Sequence, residues 1–210
     1  ALPIFKIFND LQHTITGWPG GKPNADDTNR PERATPYPKK VIVFSPHPDD
    51  DVISMGGTFK RLVDQKHDVH VAYQTSGNIA VGDEEVVRYV SFLEDVRNKY
   101  DANNEVLKKK YADVLQFLLQ DKKEGDVDTA DILFMKGHIR RQEATTACRY
   151  VGVQPENVTF LDLPFYETGR VKKNPISEAD VEIVKNYLVS VQPHQIFVAG
   201  DLADPHGTHK

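Results

Sequence analysis

Residues 41–51 read VIVFSPHPDDD, four apolar side chains followed by serine and then by proline, histidine and aspartate. A continuous apolar run of this length is typical of a strand that is buried on both faces, as the strands of parallel sheets are. The polar residues after it then lie in a loop at the carboxyl end of that strand, which is where open α/β sheets bind ligands. The run therefore predicts the start of a domain at about residue 40 and the position of its functional edge.

The sequence after this loop continues with helix and strand patterns. Apolar residues at helical spacing predict a helix over about residues 52–65, and residues 70–73 predict the next strand. A strand–helix–strand unit in one sheet requires parallel strands and a right-handed crossover. Amphipathic sequence over 83–119 predicts helices that cover one side. Further strands and one further helix are predicted at 158–161, 195–198 and 178–191. The expected fold is a three-layer, Rossmann-like α/β fold, in which a mainly parallel sheet has helices on both faces.

The sequence before the domain has a different composition. Residues 17–40 are rich in proline, glycine and short polar side chains, which is typical of a linker. Residues 1–14 alternate apolar and polar side chains over too short a span to form a domain. We therefore interpret 1–39 as the tail of an upstream domain and a linker, and 40–210 as the functional domain. An ordinary N-terminal extension is the alternative.

The composition excludes several classes of function. A net charge of -5 provides no broad basic surface, so we expect no nucleic-acid partner. The single cysteine, Cys148, excludes an intrachain disulfide and a zinc site built on thiolates, and it favours a reducing, cytoplasmic location. No stretch approaches the roughly 18 consecutive apolar residues of a membrane span, so we expect no membrane association.

The loop after the first strand contains the residues of a metal site. His47 offers an imidazole nitrogen and Asp50 a carboxylate, and both are common zinc ligands. Asp49 lies between them and is left free, so it could act as the general base for a water bound to the metal. The alternative is a capped turn, because aspartate caps a following helix well.

A second loop follows the last predicted strand and reads GDLADPHGTH over 200–209. A catalytic zinc usually has three protein ligands, and we predict His209 as the third. His206 is then the group that stabilises the oxyanion or protonates the leaving amine, with Asp204 or Asp201 to orient it. By itself, this pair of histidines could equally belong to a solvated chain end. Zn²⁺ is the expected metal, with Fe²⁺ or cobalt as alternatives for the same ligands.

The sequence His47-Pro48-Asp49-Asp50 after a buried strand, together with the late His-x-x-His, resembles the LmbE/PIG-L family of zinc-dependent deacetylases. The similarity extends through IRRQEA at 139–144, VGV at 151–153 and FLD at 160–162. The resemblance implies a small-molecule substrate of the N-acetylglucosamine type, which loses its acetyl group. It also implies that Arg140 contacts the sugar or its phosphate and that Glu143 holds the pocket together. The alternative is that Arg140 and Arg141 only form salt bridges along a helix.

Four further positions bear on this comparison. Asp51 stands where the family usually has glutamate, and Thr208 where it commonly has aspartate or asparagine; both changes could alter how the neighbouring ligands are oriented. Ser76 and Asn78, after the second strand, are candidates for lining the substrate pocket, with an ordinary turn as the alternative. The family pattern continues beyond residue 210, so we expect a truncated domain.

The linker and the domain together are similar to an arrangement in which a deacetylase-like domain follows a glucosamine-6-phosphate deaminase in one bacterial polypeptide. This similarity implies an upstream deaminase-like domain as a partner. Two alternatives to a working deacetylase then arise: a metal- or sugar-binding module without turnover, and a passenger domain of the deaminase. The sequence leaves open whether copies of the chain associate into a homo-oligomer.

Overall fold

A computed structural model of the chain describes residues 38–200, 203, 208 and 209. The predicted tail and linker therefore lie almost entirely outside the described residues, as do Asp201, Asp204 and His206. Within the described part, the chain forms one parallel sheet with helices on both faces, which confirms the predicted fold class.

The sheet has four strands in the order β3-β2-β1-β4, and every neighbouring pair is parallel. The strands are β1 Lys40–Ser45, β2 Asp68–Tyr73, β3 Val158–Phe160 and β4 Gln195–Phe197. Strand β1 lies between β2 and β4, so it is paired along both edges. This central position explains why its sequence is continuously apolar rather than alternating.

Five α-helices connect and cover the strands: α1 Asp50–Asp64, α2 Asp83–Tyr100, α3 Glu105–Gln116, α4 Ala130–Val151 and α5 Glu178–Val191. Short 3₁₀ turns at Asn78–Ala80 and Pro155–Asn157 and a π turn at Phe117–Asp121 complete the order. The first helix begins two residues earlier than predicted, because Asp50 and Asp51 already form its first turn. The predicted amphipathic stretch is divided at residues 101–104.

The two faces of the sheet bury different sets of side chains. On one face, Val41, Val43, Val71 and Tyr73 pack with residues of α1 and α4, among them Phe59, Leu62, Ala144 and Cys148. On the other face, Ile42, Phe44 and Ala72 pack with α5 through Val184, Tyr187, Leu188 and Val191. Because successive strand residues point to opposite faces, the single run of residues 41–44 contributes to both layers of helices.

A partly buried ionic network joins the start of α2 to α4. The Lys136 ammonium lies 2.7 Å from a carboxylate oxygen of Asp83 and 2.7 Å from one of Asp128. Lys122 pairs with the same two carboxylates at 2.8 and 2.6 Å. Burial raises the pKa of Asp83, but its hydrogen bonds to Lys122 and Lys136 outweigh this effect, so the pKa lies below its ordinary value. We call these four residues the Asp83 network.

None of the helices in the described part of the chain is long and apolar enough to cross a membrane. Helix α4, with 22 residues, is long enough, but its sequence carries several charged side chains, among them Lys136, Arg140 and Arg141.

Candidate metal centre

Three side chains converge beyond the carboxyl end of β1. The Nδ1 atom of His47 lies 3.1 Å from Oδ2 of Asp50 and 3.2 Å from Nε2 of His209. Nε2 of His209 lies 3.2 Å from the same Asp50 oxygen. The three atoms therefore form a triangle with nearly equal sides, and the residues are those that the sequence analysis selected as metal ligands.

The parallel sheet explains why residues so distant in sequence meet here. His47 and Asp50 follow β1, and His209 belongs to the segment after β4, which pairs with β1. The carboxyl ends of parallel strands share one edge, so both loops open on the same side. The loop after β1 is also ordered internally, because the backbone N–H of His47 donates to the Asp50 carboxylate at 2.8 Å.

The electrostatics of the triangle favour an ionised carboxylate. Burial raises the pKa of Asp50, but the hydrogen bonds from the His47 ring and backbone and the charges of His47 and His209 outweigh it. The pKa of Asp50 therefore lies below its ordinary value, and the group is an anion at neutral pH.

The donor set and its spacing fit a small divalent cation. Two imidazole nitrogens and one carboxylate oxygen are ligands of catalytic zinc sites, in which a fourth position stays open. Two ligands about 2.0–2.1 Å from a tetrahedral ion are roughly 3.3–3.4 Å apart. The separations of 3.1–3.2 Å among the three atoms are close to this value.

Asp49 lies beside the triangle and faces a different partner. Although it occupies the N-cap position of α1, its side chain makes no capping hydrogen bond. Its Oδ2 instead accepts a hydrogen bond from Arg140 at 2.7 Å, and the side chain is 42% exposed. Arg140 also donates to Glu143 at 2.7 Å. The Asp49 side chain therefore pairs with Arg140 and does not cap the helix, as the capped-turn alternative would require.

This arrangement gives Arg140 and Glu143 defined positions. The sequence analysis expected Arg140 to contact substrate, and the structure places its guanidinium on Asp49, at the edge of the site. Burial lowers the pKa of Arg140, but its bonds and charge interactions with Asp49 and then Glu143 outweigh this effect and leave it raised. Glu143 holds the arginine from its other side, so the two carboxylates fix the orientation of the guanidinium.

Asp51, which stands where the related family usually has glutamate, lies beneath the loop after β1. Its carboxylate accepts hydrogen bonds from the Tyr73 hydroxyl at 2.9 Å and from the Ser45 hydroxyl at 3.2 Å. The Tyr73 hydroxyl also lies 3.2 Å from the Cys148 sulfur. Burial raises the pKa of Asp51, although the bonds from Tyr73 and Ser45 oppose it. The Asp51 side chain, which is shorter than the glutamate usual in the family, thus anchors the start of α1 to β1 and β2.

Tyr73→Phe should lower the free energy of unfolding by about 1–3 kcal/mol, because it leaves the buried Asp51 carboxylate without its donor from β2. Tyr111→Phe is the matched control, because Tyr111 is also buried and its hydroxyl makes no hydrogen bond to another of the described residues. Chemical denaturation of both variants measures the difference. Equal stabilities would show that the Tyr73 hydroxyl contributes nothing to this anchor.

Ser76 and Asn78, the predicted pocket residues, are bonded to a residue that the sequence analysis did not select. The backbone N–H and hydroxyl of Ser76 each donate to the Glu167 carboxylate at 2.9 Å, and the Asn78 amide donates to it at 3.3 Å. These bonds join the loop after β2 to the loop after β3. Glu167 lies in a long segment without helical or strand periodicity, so only its position after a strand could have indicated it.

Tyr166, next to it in sequence, forms one side of the metal centre. Its ring meets the His47 ring edge-on, with the centroids 5.6 Å apart. The Lys173 ammonium lies 3.5 Å from the centroid of the Tyr166 ring. Burial, and then the charge of Glu167, raise the pKa of Tyr166 to about 12, so the hydroxyl stays protonated at neutral pH. Tyr166 therefore supplies a neutral aromatic wall beside His47.

The second loop is described only at some of its positions. Thr208 is buried, and His209 takes part in the triangle. The predicted oxyanion group His206 and its predicted orienting partners, Asp204 and Asp201, lie outside the described residues.

Comparison with known proteins places this geometry in a family. A Bacteroides thetaiotaomicron protein named as glucosamine-6-phosphate deaminase-like is 68% identical over 206 residues, which are 98% of this chain and 31% of that protein. The diacetylchitobiose deacetylase of Thermococcus kodakarensis is 46% identical over 48 residues, 23% of this chain and 18% of that enzyme. The chain thus spans about a third of the length of the first relative.

The family model described as PIG-L, GlcNAc-PI de-N-acetylase, matches residues 42–210. The matched region begins within β1 and includes the whole triangle of His47, Asp50 and His209. The chain belongs to the PIG-L family.

Proposed function

We propose that the chain is a metal-dependent hydrolase that removes the acetyl group from an N-acetylated amino sugar, with His47, Asp50 and His209 as metal ligands. The observation that carries the proposal is the triangle of two nitrogens and one carboxylate oxygen, with sides of 3.1–3.2 Å, next to a carboxylate that is not part of it. Zinc is the metal ion that matches these donor atoms best. Fe²⁺ is an alternative ion for the same donors.

A divalent ion held by His47, Asp50 and His209 would polarise the acetamide carbonyl and lower the pKa of a water molecule. The residues of the chain supply the rest of the reaction. Arg140 donates to Oδ2 of Asp49, and no hydrogen bond among the described residues reaches Oδ1. We assign Asp49 as the general base, with Oδ1 as the atom that accepts the proton of the attacking water. The new C–O bond forms as the water attacks, and the C–N bond breaks.

The leaving nitrogen needs a proton before it departs as a free amine. We propose that His206 in the second loop donates this proton, or that His206 stabilises the oxyanion while Asp49 passes on to the nitrogen the proton that it took from the water. The products are acetate and an amino sugar. Arg140 and Glu143 have a positioning role in this scheme, because they hold Asp49 in one orientation beside the ligands.

Two comparisons support an amino-sugar substrate. The family description names a de-N-acetylase of a GlcNAc compound, and one relative is named for an acetylated chitobiose. We therefore propose a substrate of the N-acetylglucosamine type and a cytoplasmic activity, which suits a chain whose lone cysteine is buried and free.

We also propose that residues 1–39 connect this domain to a deaminase-like domain in the same polypeptide. The chain matches 31% of a relative that is named as glucosamine-6-phosphate deaminase-like, which leaves ample length for such a domain. Deacetylation would then yield an amino sugar next to a domain that uses one. The alternatives are a binding module without turnover and a passenger domain, and an intact Asp49 beside the triangle argues against both.

Acetate release from N-acetylglucosamine and from its 6-phosphate by the full-length protein tests this proposal. We expect release with zinc, its loss on chelation, and its recovery when zinc is restored, because the proposed reaction depends on a metal to polarise the carbonyl and to acidify the water. Elemental analysis should find one metal per chain, and an Asp50→Ala variant should lack it. Metal binding without release from any acetylated sugar would instead identify a binding module.

A further inference from the structure

The loop after β3 carries a group of positive charges at the edge of the candidate metal centre. Residues 168–175 read TGRVKKNP and contain three cations and no carboxylate, in a chain whose net charge is -5. Among the described residues, Arg170, Lys172 and Lys173 form no salt bridge with any carboxylate. We call residues 168–174 the basic loop. The catalytic scheme above makes no use of it.

The basic loop is closed by hydrogen bonds of its own backbone and side chains. The backbone N–H of Asn174 donates to the Phe165 carbonyl at 2.9 Å, which joins the two ends of the loop. The Thr168 hydroxyl lies 3.2 Å from the carbonyl of Arg170 and 3.1 Å from that of Lys172. The cations are therefore carried on a backbone of defined shape, so less conformational freedom is lost when an anion binds to them.

Lys173 is the cation of this loop that lies closest to the candidate metal centre. Its ammonium is 3.5 Å from the centroid of the Tyr166 ring, and that ring meets the His47 ring with centroids 5.6 Å apart. One of its three N–H donors reaches the Arg170 carbonyl at 3.3 Å. Burial lowers the pKa of this half-buried lysine, and the charge of Glu167 opposes the effect without cancelling it. An anion bound beside Lys173 would restore the interactions that burial removes.

The space next to Lys173 is a cavity of about 510 Å³, a volume typical of small-molecule sites. Lys173 and Asn174 line it on the side of the basic loop, and Thr208, the residue before His209, lines it as well. The cavity therefore extends from the basic loop to the neighbourhood of the candidate metal centre. Among its described lining residues only Asp180 carries a carboxylate, which already accepts hydrogen bonds from two backbone N–H groups and a hydroxyl.

The arginines of α4 are already paired with carboxylates. Arg140 is held by Asp49 and Glu143, and Arg141 is held by Asp162. An anionic group that entered the site would have to displace one of these carboxylates before it could pair with either arginine. The basic loop offers cations that require no such exchange, so it is the better site for an anionic part of a substrate.

We propose that the basic loop recognises a phosphate group on C6 of the N-acetylated sugar, with Lys173 as the specificity-determining residue. The acetamide on C2 and the phosphate on C6 lie on opposite sides of a hexose ring. A sugar whose amide is beside His47 can therefore reach Lys173 with its phosphate, past the Tyr166 ring that separates the two side chains. The inference rests on the proposed deacetylase function and narrows its substrate to a phosphorylated monosaccharide.

The test compares kcat/KM for acetate release by the zinc-loaded, full-length protein from N-acetylglucosamine and from its 6-phosphate. Lys173→Met keeps an apolar stem against the Tyr166 ring but removes the charge, and it should lower the preference for the 6-phosphate by about tenfold to a hundredfold. Lys173→Arg should retain most of the preference. Lys60→Met is the matched control, because it removes the same charge from a lysine that pairs with Asp64 near the far end of α1, and it should leave the preference unchanged.

N-acetylglucosamine 1-phosphate tests the position of the phosphate, because its phosphate is attached next to the carbon that bears the acetamide. Lys173→Met should lower kcat/KM for this sugar no more than it does for N-acetylglucosamine. An equal loss for the 1-phosphate and the 6-phosphate would overturn the assignment of the basic loop to C6.

A binding measurement separates this inference from the proposed function. Binding of the 6-phosphate to zinc-loaded Asp49→Asn protein is measured by calorimetry, with and without Lys173→Met. Only the binding that Lys173→Met removes is assigned to the basic loop, because an upstream domain could also bind a sugar phosphate.

Acetate release by the wild type without a preference for the 6-phosphate, or with one that Lys173→Met does not change, would overturn the role of the basic loop and leave the deacetylase standing. Lys173-dependent binding by a protein that releases no acetate from any of these sugars would keep the phosphate site and reject the deacetylase. Absence of both acetate release and Lys173-dependent binding would overturn both.

Discussion

Asp49→Asn should lower kcat for acetate release by about a hundredfold to ten-thousandfold, because it removes the carboxylate that accepts the proton of the attacking water. The amide is nearly the same size and its oxygen can still accept a hydrogen bond from Arg140, which lies 2.7 Å from the native carboxylate. The substitution therefore changes proton transfer more than geometry. Rates under substrate saturation, with zinc content measured on the same samples, test this expectation.

The matched control is Asp64→Asn, which replaces an exposed carboxylate paired with Lys60 at the far end of α1. Both variants should bind one zinc ion per chain, and only Asp49→Asn should lose activity. A full rate in Asp49→Asn would remove Asp49 from the role of base. A loss of zinc in that variant would show that Asp49 acts on the ligands rather than on the proton.

Lys136→Met should destabilise the fold by about 3 kcal/mol, the largest effect that we expect for a substitution away from the metal centre. Lys136 has a side chain only 6% exposed, and it pairs with Asp83 and Asp128 at 2.7 Å. Without it, both carboxylates depend on Lys122 alone, and Asp128 remains nearly buried. Urea denaturation of the variant and the wild type gives the difference in the free energy of unfolding.

The pH dependence of this difference identifies its origin. The pKa of Asp83 is lowered below its ordinary value of 3.8 in the folded protein, so pairing stabilises the fold at neutral pH. This contribution is lost as the pH falls through the lowered value, and the gap between the two proteins should then narrow. Lys185→Met, which removes an exposed pair with Glu182, should cost less than about 1 kcal/mol at neutral pH. A pH-independent gap would point to packing instead of charge.

The parts of the fold that were predicted from sequence are those with strong local signals. Strand β1 was recognised because a strand buried on both faces is continuously apolar. The predicted bounds of α5 coincide with those observed, 178–191, and the helix begins with a capping box between Ser177 and Asp180. Helix α4 was represented in the sequence analysis only by the motif at 139–144. It packs on the sheet through Ala144 and on α2 and α3 through Ile139, so its apolar residues do not fall on one face.

Some features of the candidate site were also predicted from sequence, and others were not. That His47, Asp50 and His209 would meet was predicted from the rule that parallel strands end at one edge, and the structure brings them together. That they bind a metal stays a prediction. The contact between Arg140 and Asp49 was not predicted, because it depends on how α4 packs over the loop after β1. Glu167 was missed for a similar reason, since its partners lie 89 and 91 residues away in the chain.

The separation of the ligands along the chain has a consequence for folding. His47 and His209 are 162 residues apart, so a cation held by both would close nearly the whole domain into a single loop. Cross-links that close long loops remove the most conformational freedom from the unfolded chain in principle. The same three side chains would then hold the segment after β4 against the first strand. This cross-link could form only after the rest of the sheet had been synthesised.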